Sequence, residues 1–213
     1  ETIGDYVFSK CTMLQKVDLP DTLTKIGSGA FNGTALAKKH TNGIVYVDGW
    51  IVGTNLGPGT GLLDIKVAAG TRGIADYAFS RIPVLQSIMI ADSVEYIGRG
   101  AFYKCVEIGL VSIVLPKNLK VLGDYAFYGC SYALFGENGQ MTIPESTEYV
   151  GRSAFYKCLM ITGVTVPDSV KEIGAYAFYG CTALGESPIE GTEEVYQGIV
   201  SLGNGVETIG DRA

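Results

Sequence analysis

Apolar residues return along this chain at fixed intervals. The stretches "SIMIADSVEYIGRGAFYKC", "SIVLPKNLKVLGDYAFYGC", "MTIPESTEYVGRSAFYKC" and "VTVPDSVKEIGAYAFYGC" share one order. A short period-two alternation comes first, then a slot that favours proline. Apolar residues follow three and six places on, then a glycine, then Ala-Phe, and a cysteine closes the phrase. Period-two alternation predicts a half-buried strand, and proline and glycine punctuate the chain on either side of a second extended piece.

The phenylalanines Phe8, Phe31, Phe79, Phe102, Phe127, Phe155 and Phe178 lie 23, 48, 23, 25, 28 and 23 residues apart. The unit is about 23 residues, and the 48-residue gap spans two units. Eleven residues before the anchors stand Pro20, Pro116, Pro144 and Pro167, with Ala68, Ala91 and Gly203 in the same slot. The inward strand positions are Val17 and Leu19, Ile65 and Val67, Ile88 and Ile90, Ile113 and Leu115, Met141 and Ile143, Val164 and Val166, and Val200 and Leu202. Each is apolar, and each is worth roughly 1.5–3 kcal/mol when buried. So short a unit cannot cover its own apolar face, so neighbours must stack. The expected fold is a mainly β solenoid with short parallel strands, in which the glycine turns the chain and Ala-Phe sits on a short helical or 3₁₀ turn.

The pattern Leu-x-x-Val-x-Ile-Pro-x-x-Val-x-x-Ile-Gly-x-x-Ala-Phe-x-x-Cys resembles the BspA-like, or Treponema-type, leucine-rich repeat family over residues 1–34 and 66–213. The resemblance implies a curved, right-handed leucine-rich-repeat array. It implies an extracellular or cell-surface setting in bacteria, and adhesion or host-protein binding. No catalytic residue belongs to the family pattern, so none is carried over.

The first and last phrases, "ETIGDYVF" and "ETIGDRA", begin and stop at equivalent points, which predicts a piece of a longer array. Residues 1–213 are expected to form one domain, with an irregular hairpin-containing unit at about 38–65. Within it, "NGIVYVDGWIVGTNL" joins two apolar runs through Asp48-Gly49, a hairpin signal.

Columns across the units sort scaffold from site. Arg72, Glu95, Lys120, Glu148, Lys171 and Glu207 alternate in charge, which opposes unlike charges across paired strands and fixes their register. Asp76, Arg99, Asp124 and Arg152, then Tyr77, Gly100, Tyr125, Ser153 and Tyr176, alternate from unit to unit and give a two-unit superperiod. Cys11, Cys105, Cys130, Cys158 and Cys181 share a slot with Thr34 and Ile82. That company favours small buried thiols over disulfides.

Composition narrows the function. A net charge of −6 and a pI near 4.8 argue against a nucleic-acid partner. No run of apolar residues is long enough for a membrane span. The single histidine, His40, sits beside Lys38 and Lys39 without a nucleophile motif, "GPGTG" at 57–61 lacks the lysine of a phosphate loop, and there is no CxxC or Cys/His cluster. The expectation is a non-enzyme with no cofactor and no metal. Candidate partner-binding residues are Tyr46 and Trp50 in the hairpin, and Ser87, Met89, Ser112, Val114, Gln140, Thr142 and Thr165 on the outward, uncharged strand face. A ladder of Tyr103, Tyr128, Tyr156 and Tyr179 is the weaker candidate. The expected partner is an unknown host or bacterial surface protein. A carbohydrate-binding or purely structural spacer role is the alternative, and a polysaccharide-active enzyme stands third.

Overall fold

The computed structural model describes residues 1–40, 43–56, 63–82, 85–105, 112–184, 186–188 and 195–213. Its backbone is strands and turns, with one 3₁₀ helix at Leu36–Lys38 among the described residues. The second extended piece of each unit forms a two-residue strand, and these strands pair in parallel with the equivalent residues one phrase away. Gly73 pairs with Tyr96, Tyr96 with Val121, Val121 with Tyr149, Tyr149 with Glu172, and Glu172 with Thr208. Together with the hairpin strands Trp50–Thr54 and Ile44–Val47 they make an open eight-stranded sheet. Thr2–Ile3 and Lys25–Ile26 pair the same way in a sheet of their own.

The proline slot opens a turn in each unit. The N–H three residues on donates to its carbonyl, as in Leu23 to Pro20, Thr71 to Ala68, Leu119 to Pro116 and Thr147 to Pro144. The residue that donates also points into the core: Leu23, Val94, Leu119 and Val170 are buried there. Thr71 and Thr147 take the same place by bonding their hydroxyls to the carbonyls of Ala68 and Leu119. A buried hydroxyl so satisfied costs little.

The glycine before Ala-Phe does not turn the chain. Gly98, Gly123, Gly151 and Gly174 are there because the neighbouring backbone leaves no room for a Cβ, which at Gly98 and Gly123 would come within 2.7 Å of the amide nitrogens of Asp76 and Arg99. Left-handed backbone appears two residues later, at Tyr77 (φ 59°), Gly100 (58°), Tyr125 (58°), Ser153 (51°) and Tyr176 (60°), and again at Arg81, Lys104, Gly129, Lys157 and Gly180. Because left-handed residues recur every fourth position, no helix propagates through Ala-Phe. The expected helical turns are instead a ribbon of alternating hydrogen bonds. The N–H groups of Ala101, Tyr103 and Cys105 bond within their own unit, and those of Gly100, Phe102 and Lys104 reach the carbonyls of Asp124, Ala126 and Tyr128 in the next.

The phenylalanines stack face to face along the core, with centroids 5.1 Å apart for Phe79–Phe102, 4.9 Å for Phe102–Phe127, 5.7 Å for Phe127–Phe155 and 5.3 Å for Phe155–Phe178. Phe8 and Phe31 form a separate stacked pair at 5.3 Å. Between Phe31 and Phe79 the column is interrupted by the hairpin of residues 44–54, whose turn residues Asp48 and Gly49 both have positive φ, the geometry of a tight hairpin turn.

Four cysteines lie buried beside this stack. Each thiol donates to the carbonyl of the preceding phenylalanine: Cys105 to Phe79 at 2.9 Å, Cys130 to Phe102 at 3.0 Å, Cys158 to Phe127 at 3.2 Å and Cys181 to Phe155 at 3.1 Å. All five cysteines are free thiols, and Cys11 is exposed. Burial pushes Cys105 and Cys181 up to about 12.

Candidate interaction surface

Trp50 is not an interface anchor. It is only 1% exposed and stacks on Tyr96 with centroids 5.9 Å apart, and the glycine at 73 makes room for its indole. The reason lies in the register. Trp50 pairs with Gly73 as a member of the eight-stranded sheet, so its side chain enters the core rather than the projecting face of a free hairpin. Tyr46 is half-buried, and its hydroxyl accepts the N–H of Ala68 at 3.2 Å, tying the hairpin to the next turn.

The strand-face candidates do not form one continuous ladder. Leu63–Lys66 pairs with Leu85–Met89, Ser112–Ile113 with Leu134–Phe135, and Gln140–Thr142 with Gly163–Val166 and then Val200–Leu202, in three separate sheets. The break before Gln140–Thr142 comes from the extra residues of the 28-residue interval. They insert Leu134–Phe135 beside Ser112–Ile113, and the Phe135 ring wedges edge-on against Phe127 and Phe155 at 5.1 and 5.2 Å. Met89 and Val114 are 63% and 65% exposed, Gln140, Thr142 and Thr165 are exposed, and the Ser87 hydroxyl is engaged by Asp64. The side chain of Ser112 lies outside the described residues. The strand face is therefore two small patches, one around Met89 and Val114 and one around Gln140, Thr142 and Thr165.

The tyrosine ladder is continuous. Tyr103, Tyr128, Tyr156 and Tyr179 stack with centroids 4.9, 4.6 and 5.3 Å apart and ring planes within 17°. A second row of tyrosines leans on it edge-on or tilted, Tyr77 on Tyr103, Tyr125 on Tyr128 and Tyr176 on Tyr179. Cations cover the rims. Arg81 and Lys104 lie over the Tyr103 ring at 5.9 and 5.4 Å, Lys157 over Tyr156 at 5.6 Å, and Arg152 over Tyr176 at 5.8 Å. Partial burial, then the neighbouring phenols, raise the Tyr128 hydroxyl above its ordinary value. The face is thus aromatic, cationic and neutral-phenol rich on a chain that is acidic overall.

The aspartates of the alternating column do more than pack. Asp5, Asp76 and Asp124 accept the backbone N–H of Ser28, Arg99 and Arg152, each at 2.8 Å. The signal was present in the repeated Asp-Tyr of "IGDYVF", "IADYAF" and "LGDYAF". The side chain of Asp76 is fully buried, with Lys25 at 3.4 Å and Arg99 at 3.5 Å from its second oxygen. The charge column stacks in register. Backbone bonds link Arg72, Glu95, Lys120, Glu148, Lys171 and Glu207 in sequence, and Lys120 meets Glu95 at 2.9 Å and Lys171 meets Glu207 at 3.9 Å.

Known proteins fit this architecture. The sequence profile of the BspA type leucine rich repeat region matches residues 1–45 and 59–185 in six copies, and the chain belongs to that family. A leucine rich cell surface protein from Faecalibacterium prausnitzii superposes with a TM-score of 0.63 at 22% identity, over 96% of this chain and 51% of that one. A leucine-rich repeat protein from Eubacterium ventriosum gives 0.61 at 16% identity, over 97% and 65%. The T. pallidum leucine-rich repeat protein gives 0.57 at 21%, over 98% and 77%. This chain spans about half the length of the first and two thirds of the second. Comparison with curated proteins finds no match. These likenesses share the leucine-rich-repeat fold. Among the described residues no group of acidic, histidine or cysteine side chains could hold a metal, and no helix is long and apolar enough to cross a membrane.

Proposed function

We propose that the chain is a non-catalytic protein-interaction module of a secreted or surface-anchored bacterial protein, a right-handed solenoid of about 23-residue units whose partner is a host or bacterial surface protein. The observation that carries this reading is the unbroken four-ring tyrosine stack rimmed by Arg81, Lys104 and Lys157. Tyrosine and arginine are the residues that most often carry protein–protein binding energy, because they bury much area at low entropy cost and bear a polar tip. The cations favour an acidic partner surface. A glycan is the second reading, but sugars dock on ring faces, and here each inner ring spends both faces on its neighbours. Met89 and Val114 offer a smaller apolar patch on the strand face.

The test is an array of extracellular-matrix proteins and glycans probed with the chain and with a Tyr128→Ala, Tyr156→Ala variant. Saturable binding to a protein, weakened about tenfold or more in the folded variant, supports the reading. Binding to glycans alone transfers the site to the second reading. Binding to nothing leaves a spacer.

A further inference from the structure

Five junctions between consecutive phrases are sewn by the same three hydrogen bonds. From the Phe79 unit to the Phe102 unit, the N–H groups of Tyr77, Phe79 and Arg81 reach the carbonyls of Arg99, Ala101 and Tyr103, all at 2.8 Å. The other four junctions repeat this at 2.7–3.0 Å. One junction lacks them. No described residue accepts from the corresponding N–H groups of Gly29, Phe31 and Gly33, and none donates to the corresponding carbonyls of Asp76, Ala78 and Ser80. The two units still meet, through the Arg72 guanidinium on the carbonyls of Pro20 and Asp21 at 3.0 and 2.7 Å, the Lys25–Asp76 ion pair at 3.4 Å and, at the base, the Asp76 N–H to Ile26 O bond at 2.9 Å. Above that bond they enclose a cleft of about 480 Å³ lined by both sets of residues.

The cleft is the space of a skipped phrase. The hairpin of residues 44–54 supplies that unit's strand, since Trp50 pairs with Gly73, but no Ala-Phe turn follows it. Two features keep the space open. The residue after each phenylalanine is tyrosine in the later units, yet it is Asn32 and Ser80 on the walls of the cleft. Gly53 also lines it, and a Cβ there would meet nothing within 4 Å.

We infer that this cleft binds a short extended polypeptide segment, whose main chain completes the ladder between the Phe31 and Phe79 units. One wall offers N–H donors at alternate residues and the other offers carbonyls at alternate residues. A peptide backbone presents acceptors and donors to its two sides in that alternation, as residues 99–104 do between their own neighbours. A glycan has hydroxyls that satisfy either wall, but nothing in its repeat imposes the alternation. Because Phe31 and Phe79 are already buried, the ligand side chain facing the core must be small. The inference rests on the protein-interaction reading for the class of ligand, but places it away from the tyrosine stack.

The experiment titrates the isotope-labelled chain, by amide NMR, with the blocked hexapeptide Arg-Gly-Ala-Ala-Tyr-Lys, the sequence of residues 99–104 with alanine for Phe102. The expected result is saturable shifts at the amides of Gly29, Phe31 and Gly33, with a Kd on the order of 1 mM. They weaken about tenfold or more in Gly53→Phe, which fills the cleft, and persist in Tyr128→Ala, Tyr156→Ala. A peptide N-methylated at its alternate donors should lose them. No saturable shift at these three amides overturns the inference, as does an unchanged response in Gly53→Phe. Slow hydrogen exchange of the three amides in the free chain also overturns it, because the ladder would then be closed from within. The same shifts with cellohexaose and none with peptide would reassign the cleft to sugars. Loss of array binding in the tyrosine variant with cleft binding intact, or the reverse, separates the two surfaces.

Discussion

The ring of Tyr77 lies over Gly100 in the next unit, where a Cβ would come within 2.6 Å of the ring's Cδ1. Tyr6 covers Gly29 in the same way. The large–small alternation of this column is therefore steric: one unit's tyrosine occupies the space that its neighbour's side chain would need. Both residues of each pair have left-handed backbone, so the tyrosine carries the strain and the glycine carries none. Gly100→Ala is expected to cost about 1–3 kcal/mol, from left-handed strain plus overlap. Tyr77→Ala in the same chain should recover part of that loss, a coupling of about 0.5 kcal/mol or more in a double-mutant cycle read by urea denaturation. Strict additivity would sink the steric account.

The second glycine column makes an opposite prediction about cause. Gly123 has no left-handed backbone, yet its Cβ would meet the amide of Arg99 at 2.7 Å. Gly123→Ala should cost about 1–3 kcal/mol through backbone displacement alone. Gly53→Ala, with open space around the new methyl, should be neutral or stabilise by about 0.5 kcal/mol. Equal melting temperatures for the two variants would contradict this.

Thiol titration with an aromatic disulfide at pH 8 should label Cys11 rapidly in the native chain and the four buried cysteines only on unfolding. The folded thiols of Cys105 and Cys181 ionise near 12, against an ordinary value of 9. Their contribution to stability is therefore complete below pH 9 and is lost as pH rises from 9 towards 12, because the unfolded state releases those protons first. A melting temperature flat through pH 11 would contradict the burial. Cys130→Ala should cost about 1–3 kcal/mol, having lost both a hydrogen bond and buried volume.

Burial raises the Asp76 carboxyl above its ordinary value, against the lowering effect of the Arg99 N–H bond and the Lys25 and Arg99 charges. The folded state thus holds this proton more tightly than the unfolded state. Its contribution to stability is greatest below the ordinary value near 3.8, and declines as pH rises through the raised one. Asp76→Asn keeps an acceptor for Arg99 N–H and removes the buried charge, so at pH 7 it should melt at or above the unsubstituted chain. Asp76→Ala leaves that N–H unpaired and should lose about 1–3 kcal/mol. If asparagine proves as damaging as alanine, the ion pairs rather than the hydrogen bond hold the site.

The sequence by itself determined the stacked array, because burial acts on periodic positions and the period is written in residue identity. The inward pairs from Ile65 to Val166 are buried as their alternation requires, and the alternating column from Arg72 to Glu207 stacks in register. The Asp48-Gly49 pair marks the hairpin. Only the tertiary structure decided where that hairpin's residues face. Tryptophan is a favoured interface anchor, but pairing with Gly73 carries Trp50 inside. The 28-residue interval shows that residues are inserted, but only the structure shows that Leu134–Phe135 pairs beside Ser112–Ile113 and breaks the strand face there. The role of the glycines, close approach at Gly98 and left-handed backbone at Gly100, depends on distances to the next unit that one unit's sequence does not contain. The open ladder beside Gly29 and Ser80 is likewise a property of two neighbours. A skipped phrase appears in the sequence only as a 48-residue interval, and becomes a cleft only when both walls are in place.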